Sequence, residues 1–311
     1  MKFSDRLTYI TLTAVCAPLS LLPLRILYIL SDILAWIAHR VVRYRVKIVM
    51  QNLTSSFPDK SEKEIKKIAT GFYSFLCDYF METIKLYSMS ESYIRKHLII
   101  EGIEHINEAV EQGRCCSLML GHYCNWEWVS SLPLHLSPKC KPIQIYHPLR
   151  NRGSDKFFDR LRTRFHAINL PMHEVFTALV RYKRQGIPTV VGYIADQAPS
   201  LNVHLFVDFL NHDTNAYTGP ERISRLLDAE VFYAHMSRPK RGYYLLKFVP
   251  ITTEIKKEPI FEPSKVYFRM LEQNICEAPQ YWLWSHRRWK RTRERFNALF
   301  GDKAAEQLSH L

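Results

Sequence analysis

Positions 7–24 carry no charge, and the apolar pattern then resumes over 26–31 and 33–38, with only Arg25 and Asp32 interposed. A helix of roughly 20 apolar residues matches a bilayer core, but Pro18, Pro23, Arg25 and Asp32 interrupt this one. The pattern predicts an amino-terminal anchor over residues 1–40, either a short span or a helical hairpin lying in the interface. A cleaved signal peptide and a buried helix of a soluble protein are the alternatives. Lys2 and Arg6 do precede the apolar run, yet no small-x-small cleavage site follows it. Arg40, Arg43, Arg45 and Lys47 outnumber Lys2 and Arg6, so the positive-inside rule puts residues 41–311 on the cytoplasmic face.

Beyond the anchor the periods change. Ser61 and Glu64 form a capping box. The helix that follows carries Ile65, Ile68, Phe72, Phe75, Leu76, Tyr79, Phe80 and Ile84 on one wide face, and should run to about Ser88. From residue 103 helices alternate with short apolar runs. Residues 103–112 form a helix stopped by Gly113, 116–120 a strand, 126–136 a helix and 142–146 a strand. Helices follow near 154–166 and 174–185, then a strand over 188–194. Thr218-Gly219-Pro220-Glu221 reads as a second capping box. The runs 231–236 and 243–249, split by Pro239 and Gly242, read as a hairpin.

This order predicts one α/β domain over 41–311, with a mixed, mainly parallel central sheet and helices on both faces. In such folds, sites lie at the carboxyl ends of strands. His122 falls two residues past one of them.

Composition changes the picture in two ways. A formal net charge of +13 favours acidic partners: nucleic acid, anionic headgroups or an acidic carrier protein. Seven cysteines without a Cys-x2-Cys pair read as buried thiols in a reducing compartment, with no disulfide frame and no metal site. Residues 285–296 interleave basic side chains with Trp289, just after Trp282 and Trp284, which suits single-stranded nucleic acid or an anionic membrane surface. The anchor and the lack of a nucleic-acid motif favour the membrane.

The candidate chemistry lies in Leu118-Met119-Leu120-Gly121-His122-Tyr123-Cys124-Asn125-Trp126-Glu127. With thirteen histidines and 30 acidic residues in 311, a His-x4-acid match is expected about once by chance. The spacing alone therefore carries no weight. Placement does: His122 at a strand end, and Glu127 in the first turn of the next helix, where exposed amides favour a carboxylate. A carboxylate holding one imidazole nitrogen leaves the other free as a base for a weakly acidic hydroxyl attacking an activated carbonyl. The chain has no Gly-x-Ser-x-Gly elbow, phosphate loop, Gly-x-Gly-x-x-Gly or His-Glu-x-x-His, so direct transfer is favoured over a covalent acyl-enzyme.

Gly121-His122 followed by Asn125-Trp126-Glu127 resembles the Gly-His-x-Gly-Asn-Trp-Glu block of the bacterial lipid A late acyltransferases. These are lauroyl and myristoyl transferases within the lysophospholipid acyltransferase superfamily. The resemblance spans nearly the whole chain. It takes in Gln51-Asn52-Leu53, Phe57-Pro58, Glu101-Gly102, Tyr146, Pro148, Arg162 and Arg164, Asp196-Gln197, Thr218-Gly219, Pro279-Gln280-Tyr281, Trp284 and 286–290. Two positions depart from the pattern: its glycine is Cys124 here, and the arginine usual after the tyrosine is His147.

The resemblance implies an O-acyltransferase of lipopolysaccharide biosynthesis at the bacterial inner membrane. Its donor would be acyl carrier protein or acyl-CoA, and its acceptor a hydroxyl of a lipid A precursor, with no cofactor. It implies His122 as base and Glu127 as its dyad partner in a His-x4-Glu motif. Arg162 would hold a phosphate of the acceptor or of the donor's pantetheine arm, as a guanidinium does in bidentate fashion. Arg164, Asp196 and Asn125 join it as substrate-binding candidates. Acylation of a lysophospholipid or aminolipid, or a non-catalytic membrane-binding role, are the alternatives.

Overall fold

The computed structural model describes residues 2–201 and 203–309. Helices α1 (Phe3–Leu21) and α2 (Leu24–Trp36) meet at Pro23, the N-cap of α2, and a π-helical turn Ile37–Val41 follows. Next come α3 (Val46–Ser56), α4 (Glu62–Leu86), α5 (Glu91–His97), β1 (Leu98–Glu101), α6 (Ile103–Glu111) and β2 (Cys116–Leu120). A 3-10 helix Trp126–His135 leads to β3 (Lys141–Tyr146), α7 (Arg152–Arg162), β4 (Ile168–Pro171), α8 (Val175–Arg184) and β5 (Thr189–Ile194). The chain continues through β6 (Phe206–Phe209), β7 (His212–Asn215), α9 (Gly219–Leu227), β8 (Glu230–Lys240), β9 (Tyr243–Thr252), α10 (Glu262–Glu277), α11 (Arg293–Phe300) and α12 (Ala304–Gln307).

Seven strands form the sheet in the order β1-β9-β8-β2-β5-β3-β4, and only the β8–β9 pair is antiparallel. This is the mixed, mainly parallel sheet that the alternating pattern predicts. Strand β2, buried at all five positions, lies between β8 and β5. Two hydrogen bonds fix which helices cover which face. Ser224 of α9 donates to Ser117 of β2 at 2.7 Å, and Gln144 of β3 donates to the carbonyl of Arg162 in α7 at 2.8 Å. Ser117 stands in one row with Val191, while Gln144 stands in the next row with Gly192. Adjacent rows point to opposite faces, so α9 and α7 lie on opposite sides.

Helix α4 begins at the Ser61–Glu64 capping box and buries Phe72, Phe75 and Leu76. Its carboxyl end holds the amino-terminal hairpin: Lys85 donates to the carbonyls of Ser20 at 2.8 Å and Leu22 at 3.1 Å, which satisfies the end of α1. On its other side α1 packs against α7, where the approach requires Gly153. A Cβ there would stand 2.0 Å from the Asp5 carbonyl oxygen. Among the described residues no helix is long and apolar enough to cross a membrane.

Other sequence expectations need correction. The 126–136 segment is a 3-10 helix with Pro133 inside it, because Pro133 offers no amide to an α-helical ladder. Helix α7 ends at Arg162, four residues early, and the short edge strand β4 and the β6–β7 hairpin carried no readable alternation. The Thr218 capping box does not form. Glu221 turns inward instead and accepts from the Phe261 and Ser264 amides at the start of α10, at 2.9 and 3.2 Å. Cys276 is exposed. Trp282 and Trp284 are buried and Arg288 is fully buried against Asn215, while Arg287, Lys290 and Arg295 stay exposed, so the exposed basic residues here are not interleaved with those two tryptophans.

Candidate active site

Sheet register builds the site. Leu120 at the end of β2 pairs with Ile194 at the end of the parallel strand β5. Two residues beyond each, His122 and Asp196 emerge side by side, although 74 positions separate them. His122 Nδ1 lies 2.6 Å from Asp196 Oδ1, and the His122 backbone amide donates to Oδ2 at 2.8 Å. A third group comes from residues 281–283, which pair with the 122–124 loop through Cys124 N to Tyr281 O and Leu283 N to His122 O. That pairing brings the Trp282 indole N–H to Asp196 Oδ2 at 2.8 Å.

Burial acts to raise the Asp196 pKa, but the His122 ring, the Trp282 indole and the His122 amide more than offset it. The carboxyl titrates below its ordinary value and is ionised at neutral pH. An ionised Asp196 accepts at Nδ1, which makes Nδ1 the protonated nitrogen and leaves the Nε2 lone pair free. The amide nitrogen of Gln197 lies 3.1 Å from Nε2, where a substrate hydroxyl would have to sit. Trp126 meets the His122 ring edge to face at 5.0 Å and fixes its plane.

Glu127 does not touch this pair. Arg162 donates from Nε to its Oε2 at 2.9 Å and from Nη2 to its Oε1 at 2.6 Å, a bidentate clamp on a nearly buried carboxylate. The local backbone explains the difference from the expected dyad. Cys124 adopts left-handed φ +51°, and Asn125 then caps a 3-10 helix, accepting from the Trp128 amide. The carboxylate is thereby carried toward α7, away from the imidazole.

Three substrate-binding expectations change as well. Asn125 is fully buried and donates to Glu82 at 2.7 Å. Arg164 donates to the carbonyls of Tyr87 and Met89, closing the end of α4. Asp196 serves the histidine. Arg162 does line the cavity, with its guanidinium engaged by Glu127. Cys124, two residues from His122, is no nucleophile: its side chain is sealed, and burial holds its thiol well above the ordinary range. Among the described residues no group of three or more His, Cys, Asp or Glu side chains converges as a metal site would.

His122 opens onto a cavity of about 800 Å³, lined largely by Leu, Ile, Val, Pro and aromatic side chains. Its rim includes Ala198, whose amide donates to His286 Nε2 at 3.3 Å. Burial, with Lys290, Arg288 and His122 adding and Asp196 opposing, pushes the His286 pKa down to about 4. In the unfolded chain His286 takes its proton near pH 6.5 and in the folded one only near 4, so acidification across that window favours unfolding. The loss is on the order of 2–3 kcal/mol at most. Urea midpoints at pH 7 and pH 4.5 should show a larger acid loss for the wild type than for His286→Gln, and equal losses would remove His286 as the cause.

Residues 3–291 match the family profile described as bacterial lipid A biosynthesis acyltransferase. The chain belongs to that family. It is thus an acyltransferase, and its position Cys124, where the family block carries glycine, has the positive φ that glycine adopts freely. Among its relatives, the lipid A biosynthesis palmitoleoyltransferase of Escherichia coli K12 is 26% identical over 275 residues, 86% of each chain. The lauroyltransferase of the same organism is 24% identical over 275 residues, 86% of this chain and 87% of the relative. A lipid A biosynthesis acyltransferase of Haemophilus influenzae is 21% identical over 251 residues, 80% of this chain and 76% of that one.

Proposed function

We propose that this lipid A acyltransferase moves a fatty acyl chain from acyl carrier protein to a hydroxyl of a lipid A precursor, at the cytoplasmic face of a bacterial inner membrane. The observation carrying this reading is an imidazole whose Nδ1 is held by a buried carboxylate and whose Nε2 faces a large apolar cavity. The hydroxyl takes Gln197's place at Nε2 and attacks the thioester carbonyl while His122 accepts its proton. Asp196 stabilises the imidazolium. Collapse of the tetrahedral intermediate breaks the C–S bond, and the thiolate recovers the proton from His122. No acyl-enzyme is needed, consistent with the sealed Cys124. The Glu127–Arg162 pair, at the cavity edge, orients polar parts of a substrate. A surplus of +13 suits an acidic carrier protein.

Purified protein given acyl carrier protein thioester and lipid A precursor should yield the acylated product by mass spectrometry. Transfer to a lysophospholipid or an aminolipid alone would overturn the acceptor assignment.

Membrane contact rests on the amino-terminal hairpin. Its outer side exposes Phe3, Leu7, Ile10, Ile29, Ile33 and Trp36, which suits an amphipathic unit lying flat in the interface, with Arg40 and Arg43 close behind. Ile29→Glu with Ile33→Glu should reduce sedimentation with anionic vesicles by roughly tenfold or more, since each buried isoleucine contributes about 1.5–3 kcal/mol. Unchanged binding would remove the hairpin as the contact surface.

A further inference from the structure

The charged residues of α7 are sorted by side. Arg152, Lys156 and Arg160 recur every fourth position and are exposed, while Asp155 and Asp159 stand in a separate row and are engaged elsewhere. Asp155 accepts from the Leu149 amide at 2.8 Å, and Asp159 from the Asn169 side chain on β4 at 3.0 Å. The basic row meets α1 at Tyr9. Arg160 Nη1 donates to the Tyr9 hydroxyl at 3.3 Å, and Lys156 Nζ stands 5.1 Å from the centre of its ring. The Arg160 hydrogen bond, with the charges of Arg160 and Lys156 behind it, outweighs burial and holds the Tyr9 pKa below its ordinary value. Lys2 and Arg6 precede Tyr9 by seven and three residues, which places them on its flank of α1, and both are exposed. Among the described residues, no carboxylate pairs with any of these five cations. Lys66, Lys256 and Arg269, also on the surface, are paired with Glu62, Asp228 and Glu262.

Phe3, Leu7 and Ile10 each come one residue after Lys2, Arg6 and Tyr9 in turn, so the exposed apolar row of α1 and the basic row lie side by side. We propose that Tyr9, Lys156 and Arg160, flanked by Lys2, Arg6 and Arg152, form a site for the phosphate of an anionic phospholipid headgroup. The inference rests on membrane contact through the hairpin and adds which lipid that contact selects. An apolar helix face buried about 5–10 Å into the headgroup and acyl boundary puts the neighbouring row at the depth of the phosphates. There a guanidinium, an ammonium and a phenol offer N–H and O–H donors to phosphate oxygens around one point, with no protein carboxylate to displace. Arg162, two residues beyond Arg160 and so on another side of α7, lines the cavity. One helix thus holds the headgroup outside and the substrate cavity inside.

Sedimentation with vesicles of phosphatidylcholine alone, and of phosphatidylcholine and phosphatidylglycerol in equal parts, tests the site. The wild type should bind the anionic vesicles roughly tenfold more tightly or better. Lys156→Ala with Arg160→Ala should abolish most of that preference and leave binding to the neutral vesicles unchanged. Lys156→Ala alone removes no hydrogen bond and should lower the preference about fivefold, so the outcome does not depend on the Arg160–Tyr9 contact. Lys96→Ala with Lys265→Ala, which removes two exposed cations outside α1 and α7, should leave the preference intact. A preference retained in the α7 double variant, or lowered equally by the control pair, overturns the proposal. So does a rise in the KM for acyl carrier protein, or for lipid A precursor in phospholipid-free micelles, with vesicle preference unchanged, because the row would then hold the donor or the acceptor. Binding of the wild type to both vesicles alike refutes the headgroup site only. Binding to neither refutes the membrane contact on which it rests.

Discussion

Asp196→Asn is expected to lower kcat by about 10²–10⁴-fold, close to the loss from His122→Ala, with the fold intact. The reason lies in which donors the carboxylate serves. Oδ2 accepts two fixed N–H groups, from the Trp282 indole and the His122 backbone, and Oδ1 faces Nδ1. An asparagine at 196 must place its one oxygen against the two fixed donors, which turns its NH₂ toward the ring. Nδ1 then becomes the acceptor, and the proton moves to Nε2, where the base is needed. Glu127→Gln makes the contrast. It weakens the clamp on Arg162 without touching the imidazole, so its effect should fall mainly on KM. Steady-state kinetics of both variants decide the matter. Asp196→Asn within a few-fold of wild type would sink the Asp196 assignment, and a tautomer-like loss in Glu127→Gln would restore the local dyad.

That contrast also marks what the sequence discloses. Strand β2 was readable to the residue, as was the cap of α4, because both depend on neighbours within a few positions. The sheet class follows from alternation. The partner of His122 does not, because it is set by the pairing of Leu120 with Ile194, a contact between strands whose register is invisible along one chain. A conspicuous acid five residues away took its place. The signal that reveals the left-handed turn is present, since a glycine position in the family block is where positive φ is expected, but Cys124 hides it. Arg164 and Glu221 show the same limit: basic and capping patterns fit a surface or a helix start equally well, and only packing makes one close α4 and the other hold α10. The buried tail tryptophans make the point for hydrophobic–basic interleaving, which reads alike in a membrane belt and in a core.

The largest stability loss should come from Glu82→Ala, far from the reacting atoms. Glu82 is fully buried in α4 and accepts from four donors: Tyr28 of α2 at 2.8 Å, Asn125 at 2.7 Å, Tyr244 of β9 at 2.6 Å and Arg238 of β8 at 3.2 Å. It therefore ties the amino-terminal hairpin, the β8–β9 pair and the catalytic loop to a single carboxylate. Arg238 keeps Asp78 as a partner at 2.7 Å, but that carboxylate is shared with Arg241 and Ser31. Removing Glu82 leaves the buried Tyr244 hydroxyl, the half-buried Tyr28 hydroxyl and the buried Asn125 amide unpaired and a buried guanidinium undercompensated, a loss of about 3–5 kcal/mol. Against a typical 5–15 kcal/mol total this is large. Tyr28→Phe deletes one donor and should lose only about 1–2 kcal/mol. Because Asn125 both binds Glu82 and caps the 126–135 helix, Glu82→Ala should also reduce kcat at temperatures where the protein remains folded, whereas Tyr28→Phe should not. Denaturant unfolding with parallel activity assays tests both halves. A Glu82→Ala midpoint matching that of Tyr28→Phe would show that the carboxylate is not the junction its hydrogen bonds describe.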